Sequence, residues 1–141
     1  MLNNYNNSNK FNSVTVLKIK LYPSGIKNAA KFLLENCNGN SKPNNLVSAT
    51  GAHGIICAQI DSKFKTVLNS FQINLPDGMP GVWIGRLKGN KRIQRCYGPD
   101  FFAEVMKYSA NRDVKHFFCG GKPGVAEQLK KAVRSKFHNN N

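Results

Sequence analysis

Three turns in this 141-residue chain gather side chains that could do chemistry. The first, Ser48-Ala49-Thr50-Gly51-Ala52-His53-Gly54, sets hydroxyls and an imidazole among glycines. Thr50 or Ser48 suits a sugar or phosphate oxygen. His53 titrates near neutrality, where a proton-transfer group works. The second turn, Leu75-Pro76-Asp77-Gly78-Met79-Pro80-Gly81-Val82-Trp83, carries one carboxylate, Asp77. A positioned carboxylate can take the proton of an attacking hydroxyl. The third, Gly120-Gly121-Lys122-Pro123-Gly124, is a glycine loop ahead of a helical pattern. Free N–H groups and the positive end of a helix dipole suit phosphate there, and Lys122 adds a charge. A basic stretch with Arg86, Lys88, Lys91, Arg92 and Arg95, close to Tyr97, offers guanidinium forks to a diphosphate.

Each piece has a plainer reading. Asp77 would cap the helix that follows it. Thr50 would do the same for its own helix, with His53 packed in the first turn. The basic stretch would be a solvated loop, or would bind nucleic acid. No helix-turn-helix, RNP, KH or zinc-finger pattern accompanies it.

The elements decide how these turns meet. Residues 14–21 alternate apolar and polar and predict one half-buried strand. Residues 26–37 have helical spacing, and 38–45 read as a loop rich in Asn, Gly, Ser and Pro. Strands are predicted at 46–50, 71–75 and 114–119. Helices are predicted at 52–61, with a further turn or two carrying Phe64, Val67 and Leu68, and at 79–87, 98–109 and 125–137. The alternation predicts a Rossmann-like α/β fold, a mostly parallel sheet with flanking helices. In such a sheet the three turns lie along one edge, where ligands bind. The last helix ends near Phe137 with no strand after it, so the sheet reads as incomplete at its C-terminus. One edge, at 114–119 or 46–50, should then lie open, and self-association into a homo-oligomer is expected.

Composition bounds the rest. The length suits one domain, placed at 13–138, between disordered Asn-rich tails at 1–12 and 139–141. Lys and Arg outnumber Asp and Glu by 21 to 7, giving a formal charge of +14. Anionic partners follow: nucleic acid, phosphorylated ligands or an acidic membrane face. Four cysteines, Cys37, Cys57, Cys96 and Cys119, form no C-x-x-C pair and have no histidine at zinc-ligand spacing. They read as reduced, mostly buried thiols, with no metal site. No segment reads as a membrane span or a signal peptide. The expected location is cytoplasmic, with peripheral membrane contact at most.

Thr50-Gly51-Ala52-His53-Gly54, Leu75 to Pro80 with Trp83, Arg95-Cys96-Tyr97-Gly98-Pro99-Asp100, and Gly120-Gly121-Lys122-Pro123-Gly124-Val125-Ala126-Glu127 occur in order. Together they resemble the WecG/TagA/CpsF family of glycosyltransferases over roughly residues 45–137. The resemblance implies a Rossmann-like transferase that moves N-acetylmannosamine or a related sugar. The donor is a UDP-sugar and the acceptor a lipid-diphosphate-linked sugar at the cytoplasmic membrane face. The products feed teichoic acid, common antigen or exopolysaccharide assembly. The resemblance makes Asp77 the general base and needs no metal or other cofactor. It places Thr50, Gly51, His53, Gly78, Arg95, Tyr97, Asp100, Gly120, Gly121, Lys122 and Gly124 in substrate binding. Nucleic acid is not an expected partner. Gly51 stands where many members carry Asn, and Cys96 where Val is usual. The family continues past residue 141 with a P-K-Q-E-like segment and a basic appendage. The chain therefore reads as lacking the C-terminal third, and an inactive product is one expectation. The alternative is a non-catalytic basic Rossmann-type module that binds nucleic acid or acidic lipid.

Overall fold

The computed structural model describes residues 12–37 and 46–141. The tail expected at 1–12, save Asn12, and the loop expected at 38–45 lie outside the described residues. The fold is mixed α/β. Strands β1 (Val14–Val16) and β2 (Ile19–Leu21) form an antiparallel hairpin. Helix α1 (Ile26–Glu35) follows. Strand β3 (Val47–Thr50) pairs in parallel with β4 (Ile73–Pro76) through the helices α2 (Ala52–Ile60) and α3 (Ser62–Ser70). Then come α4 (Met79–Leu87), α5 (Gly98–Ser109) and α6 (Val125–Phe137).

The single strand expected at 14–21 is a hairpin. Leu17 and Lys18 both take positive φ, 46° and 65°, the geometry of a two-residue hairpin turn. The inward positions are Val14 and Val16, then Ile19 and Leu21. That change of parity marks the turn, because alternation shifts by one residue wherever a strand reverses.

The core forms around β4. All four of its residues are buried. Ile73 and Leu75 pack with Tyr22, Ala29 of α1 and Cys96, against Phe101 of α5. Asn74 points the other way, where its amide donates to Leu68 O at 2.8 Å and Lys20 O at 3.0 Å. On that side Val82 of α4 joins Ile55, Ala58, Leu68 and the hairpin residues. Helices thus cover both faces, as a parallel pair requires. A third cluster joins α1, α5 and α6 through Leu34, Val105, Met106 and Val133.

The strand expected at 114–119 is not formed. This segment joins no ladder among the described residues. Val114 and Phe118 pack against the α1–α5–α6 cluster, and Phe117 is 91% exposed. It makes no backbone hydrogen bond to the outer edge of β3 among the described residues, and β4 has no free edge. β3 holds one edge of β4, while Tyr22 N bonds Asn74 O and Cys96 N bonds Pro76 O on the other. The sheet is therefore one parallel pair and a hairpin, smaller than expected. The polar end at 139–141 is also not a loose tail. Asn139 is buried, and its amide donates to Met106 O and Ser109 Oγ. Asn141 donates to Ser109 O and Arg112 O. These amides take the place of helix caps, giving partners to carbonyls at the end of α5. Among the described residues, no helix is long and apolar enough to cross a membrane.

Close packing predicts one sharp local failure. A Cβ on Gly85 of α4 would lie 2.8 Å from Ile93 Cδ1 and 3.3 Å from Val14 Cγ1. Ile93 is wholly buried and has nowhere to go. Gly85→Ala is expected to cost about 1–3 kcal/mol in urea unfolding. Lys91→Ala, on the exposed loop beyond, is expected to shift stability by no more than about 0.5 kcal/mol.

Candidate active site

β3 and β4 are parallel, so their carboxyl ends lie side by side, and each runs into a helix. The α2 N-cap is Gly51 and the α4 N-cap is Gly78, and no side chain caps either helix. Asp77 N donates to Thr50 O at 3.2 Å, which locks the two turns together. The two turns are neighbours: a Cβ on Gly78 would stand in ordinary contact with the first, 3.8 Å from Ala52 N and 4.0 Å from Gly51 Cα. Two sets of orphan helix N–H groups therefore open onto one spot, with two positive dipole ends.

Asp77 stands at that spot, one residue before the cap position. It does not cap α4. Its Oδ1 is buried and makes no hydrogen bond. A buried carboxylate oxygen without a partner costs free energy, and such costs are kept where a group has work to do. Its charge reaches Cys96, whose thiol is wholly buried. Burial, and then the neighbouring Asp77 carboxylate, push that thiol from 9.0 to about 11. The thiol meets the carbonyls of Ser24 and Gln94, each at 3.5 Å. Of the other cysteines, Cys37 and Cys119 are exposed and Cys57 is intermediate, so the expectation of mostly buried thiols holds only for Cys96.

Arg95 comes to the same place. Its Nε donates to Asp77 O at 2.9 Å, and its guanidinium lies 5.0 Å from the centre of the Tyr97 ring. Gly98, at the start of α5, sits against Ala49 of β3, where a Cβ would lie 3.3 Å from the alanine methyl. Beside Arg95 is a recess of about 420 Å³, lined by Ser24, Gly25, Lys27, Asn28, Gln94 and Arg95 among others. The sequence reading missed the α1 side of this recess.

Thr50, Gly51, Asp77, Gly78, Arg95 and Tyr97 are thus gathered. Thr50 is buried beneath α2, and its hydroxyl lies 2.6 Å from that of Ser48. His53 is exposed, and its Nε2 lies 3.5 Å from Cys57 Sγ, one turn along α2. Asp100 is exposed in the first turn of α5. Gly120, Gly121, Lys122 and Gly124 stand apart. They are exposed, they lead into α6, and α6 packs on α5. The three glycines have positive φ, 114°, 79° and 87°. No hydrogen bond joins this loop to the Asp77 turn among the described residues. The three-turn edge expected from the sequence is a two-turn edge here, because the strand that would carry the third turn is absent.

A model of the glycosyl transferase WecG/TagA/CpsF family matches residues 14–141. The chain is also similar to the N-acetylglucosaminyldiphosphoundecaprenol N-acetyl-beta-D-mannosaminyltransferase of Bacillus subtilis (strain 168), at 29% identity over 79 residues. That alignment covers 56% of this chain and 31% of the relative.

The Cys96 thiol carries a pH signature. Its folded pKa is raised, so between pH 9.0 and about 11 the folded state holds a proton that the unfolded state has lost. Stability must then fall as pH rises through that window. Cys96→Val removes this contribution. The stability difference between Cys96→Val and the parent, followed by urea unfolding, is expected to move in favour of the variant from pH 9 to pH 11. A difference independent of pH would show that Cys96 carries no such shift.

Proposed function

The chain belongs to the glycosyl transferase WecG/TagA/CpsF family, and on that premise we propose that it moves N-acetylmannosamine, or a related sugar, from a UDP donor. The acceptor is a lipid-diphosphate-linked sugar presented at a membrane surface. The observation that carries this reading is the Asp77 carboxylate, with a buried, unpartnered oxygen at the meeting of two uncapped helix starts.

The acceptor hydroxyl gives its proton to Asp77 as its oxygen attacks the anomeric carbon. The bond from that carbon to the diphosphate oxygen breaks, and UDP leaves with the electron pair. Negative charge grows on the diphosphate as it departs. The N–H groups at the starts of α2 and α4, with the Arg95 guanidinium, are placed to meet it. The recess beside Arg95, with Lys27 on its wall, gives the diphosphate somewhere to sit. No metal is needed in this scheme. The β3–α2–α3–β4 unit supplies the Rossmann-like framework, and Gly120, Gly121, Lys122 and Gly124 would close over the nucleotide. His53 and Asp100, both exposed, would contact the sugar from the rim. The protein would work in the cytoplasm, against the membrane face that holds the acceptor.

Two measurements on this chain test the reading together. UDP is titrated by calorimetry, and transfer is followed from UDP-N-acetylmannosamine to a diphosphate-linked N-acetylglucosamine lipid. Asp77→Asn is expected to lower transfer by about 10²–10⁴-fold. UDP affinity should stay within about twofold, because the base faces the acceptor. The same variant should melt no lower than the parent, since the one buried oxygen of this half-buried side chain has no hydrogen bond to lose. Full transfer by Asp77→Asn would remove the base assignment. A chain that binds UDP no better than other anions, with affinity falling steeply with salt, would be a basic binding module instead.

A further inference from the structure

The outer face of α4 is apolar where a soluble helix is normally polar. Gly81, Val82 and Gly85 face the core. Trp83 and Leu87 face outward, 57% and 87% exposed. Helical geometry puts positions 83, 86 and 87 within about 100° of one another, so Arg86 shares this face. The helix then runs into a basic loop. Lys88, Lys91 and Arg92, with Ser13, Thr15 and Asn90, line a recess of about 700 Å³ that no carboxylate enters.

This recess is built. Lys88 Nζ donates to Thr15 O at 2.9 Å, which ties the loop to the hairpin. Asn90 Oδ1 accepts from the backbone N–H groups of Arg92 and Ile93, which fixes the loop's shape. Ile93 is wholly buried and anchors its far end. Among the described residues, the one ion pair is Lys31–Glu35 at 3.8 Å. Arg86, Lys88, Lys91 and Arg92 are therefore cations without anions. An exposed Trp and Leu beside four unpaired cations match the two halves of a lipid interface. Indole rings settle at headgroup level, and Lys and Arg are drawn to anionic headgroups.

We propose that the outer face of α4 and the 88–92 loop dock this protein on an anionic lipid bilayer. Trp83 and Leu87 enter the headgroup region, and Lys88, Lys91 and Arg92 hold lipid phosphates. A second copy fits this face poorly. A two-fold contact would set the same cations against each other. A nucleic acid would stack on Trp83 but would gain nothing from Leu87. The surface lies at the far end of α4 from Asp77, about 13 Å along the helix. The proposal does not rest on the transfer chemistry. A chain with no transferase activity would still bind vesicles.

Trp83 is the only tryptophan in the chain, so its emission reports this face alone. The chain is titrated with vesicles of phosphatidylglycerol and phosphatidylcholine, and with pure phosphatidylcholine. Emission is expected to shift to the blue with the anionic vesicles only, and partitioning to weaken as salt rises. Leu87→Ser should weaken partitioning at least threefold. Lys91→Ala with Arg92→Ala should weaken it about thirtyfold. Lys130→Ala with Lys131→Ala, equal in charge but on α6, should change it less than twofold. No shift with anionic vesicles at low salt would overturn the proposal. An equal loss from the α6 pair would reduce it to net charge. A shift that grows with protein concentration alone would give the face to a second copy. A larger shift with polyuridylate than with vesicles would give it to nucleic acid.

Discussion

The amide of Asn74 is the bond set on which the rest depends. It sits in the middle of the most buried strand, between Ile73 and Leu75, and it is itself buried. Both of its N–H groups are committed, to Lys20 O of β2 and Leu68 O of α3. Its oxygen can only accept, and Ser48 of β3 donates to it at 2.6 Å. With the Ser48 proton spent, the 2.6 Å contact to Thr50 must run the other way, and Thr50 donates. One side chain thus ties β4 to its parallel partner, to the hairpin and to the crossover helix. In a buried place each of these groups would cost about 1–3 kcal/mol if left unpaired. The register of β3 on β4 follows, and with it the contact of the two helix starts. The proton count also has a chemical consequence. Thr50 offers lone pairs only, so its hydroxyl suits a donor group rather than a bare phosphate oxygen.

Around the site the chain leaves out stabilisation that it could have had. A Ser, Thr, Asp or Asn at the cap of α2 or α4 would contribute about 1 kcal/mol each, yet both positions hold glycine. α3 shows the contrast, since Asp61 accepts from the N–H groups of Lys63 and Phe64. Among the six described helices α3 is the one with a side-chain cap, and α1, α5 and α6 lack one as α2 and α4 do. The feature particular to the site is the buried Asp77 Oδ1, which makes no hydrogen bond where the starts of α2 and α4 lie side by side.

The helices were legible because their start signals and spacing are local. Pro80 and Pro99 sit in first turns, and the apolar stripes of α4, α5 and α6 repeat at helical period. The parallel pair was legible too, from short apolar runs that end in glycine turns. The hairpin was hidden by its own regularity, although the shift at Leu17 from even to odd apolar positions was visible. Residues 114–119 have the local properties of a strand, yet they join no ladder among the described residues. The second edge of β4 is taken by Tyr22 and Cys96, from remote parts of the chain, and Val114 and Phe118 pack on the α1–α5–α6 cluster instead of beside β3, which no local pattern shows. Asn74 was the clearest missed signal. One amide inside an apolar strand has to be satisfied, and its partners must be backbone or polar groups from other elements. At the site, Asp77 and Arg95 were singled out by residue type. That Arg95 reaches the Asp77 carbonyl depends on the return of the 88–95 loop, which chemistry alone did not predict.

That return explains how a strongly basic chain can be selective. A formal charge of +14, with one ion pair among the described residues, repels itself, and this opposes folding. The repulsion is tolerable where cations spread out, yet five of them lie between Arg86 and Arg95. The segment divides them. Its first part follows the C-terminal end of α4, where Lys88, Lys91 and Arg92 surround an open recess. Its last residue lies back at the N-terminal end, where Arg95 bonds the carbonyl of Asp77. The buried side chain of Ile93 separates the two groups. Water screens charges at such distances, so each group acts on its own neighbourhood. The helix α4 then works as a spacer between a cationic surface and a carboxylate. The separation of the two groups is set by the length of the helix.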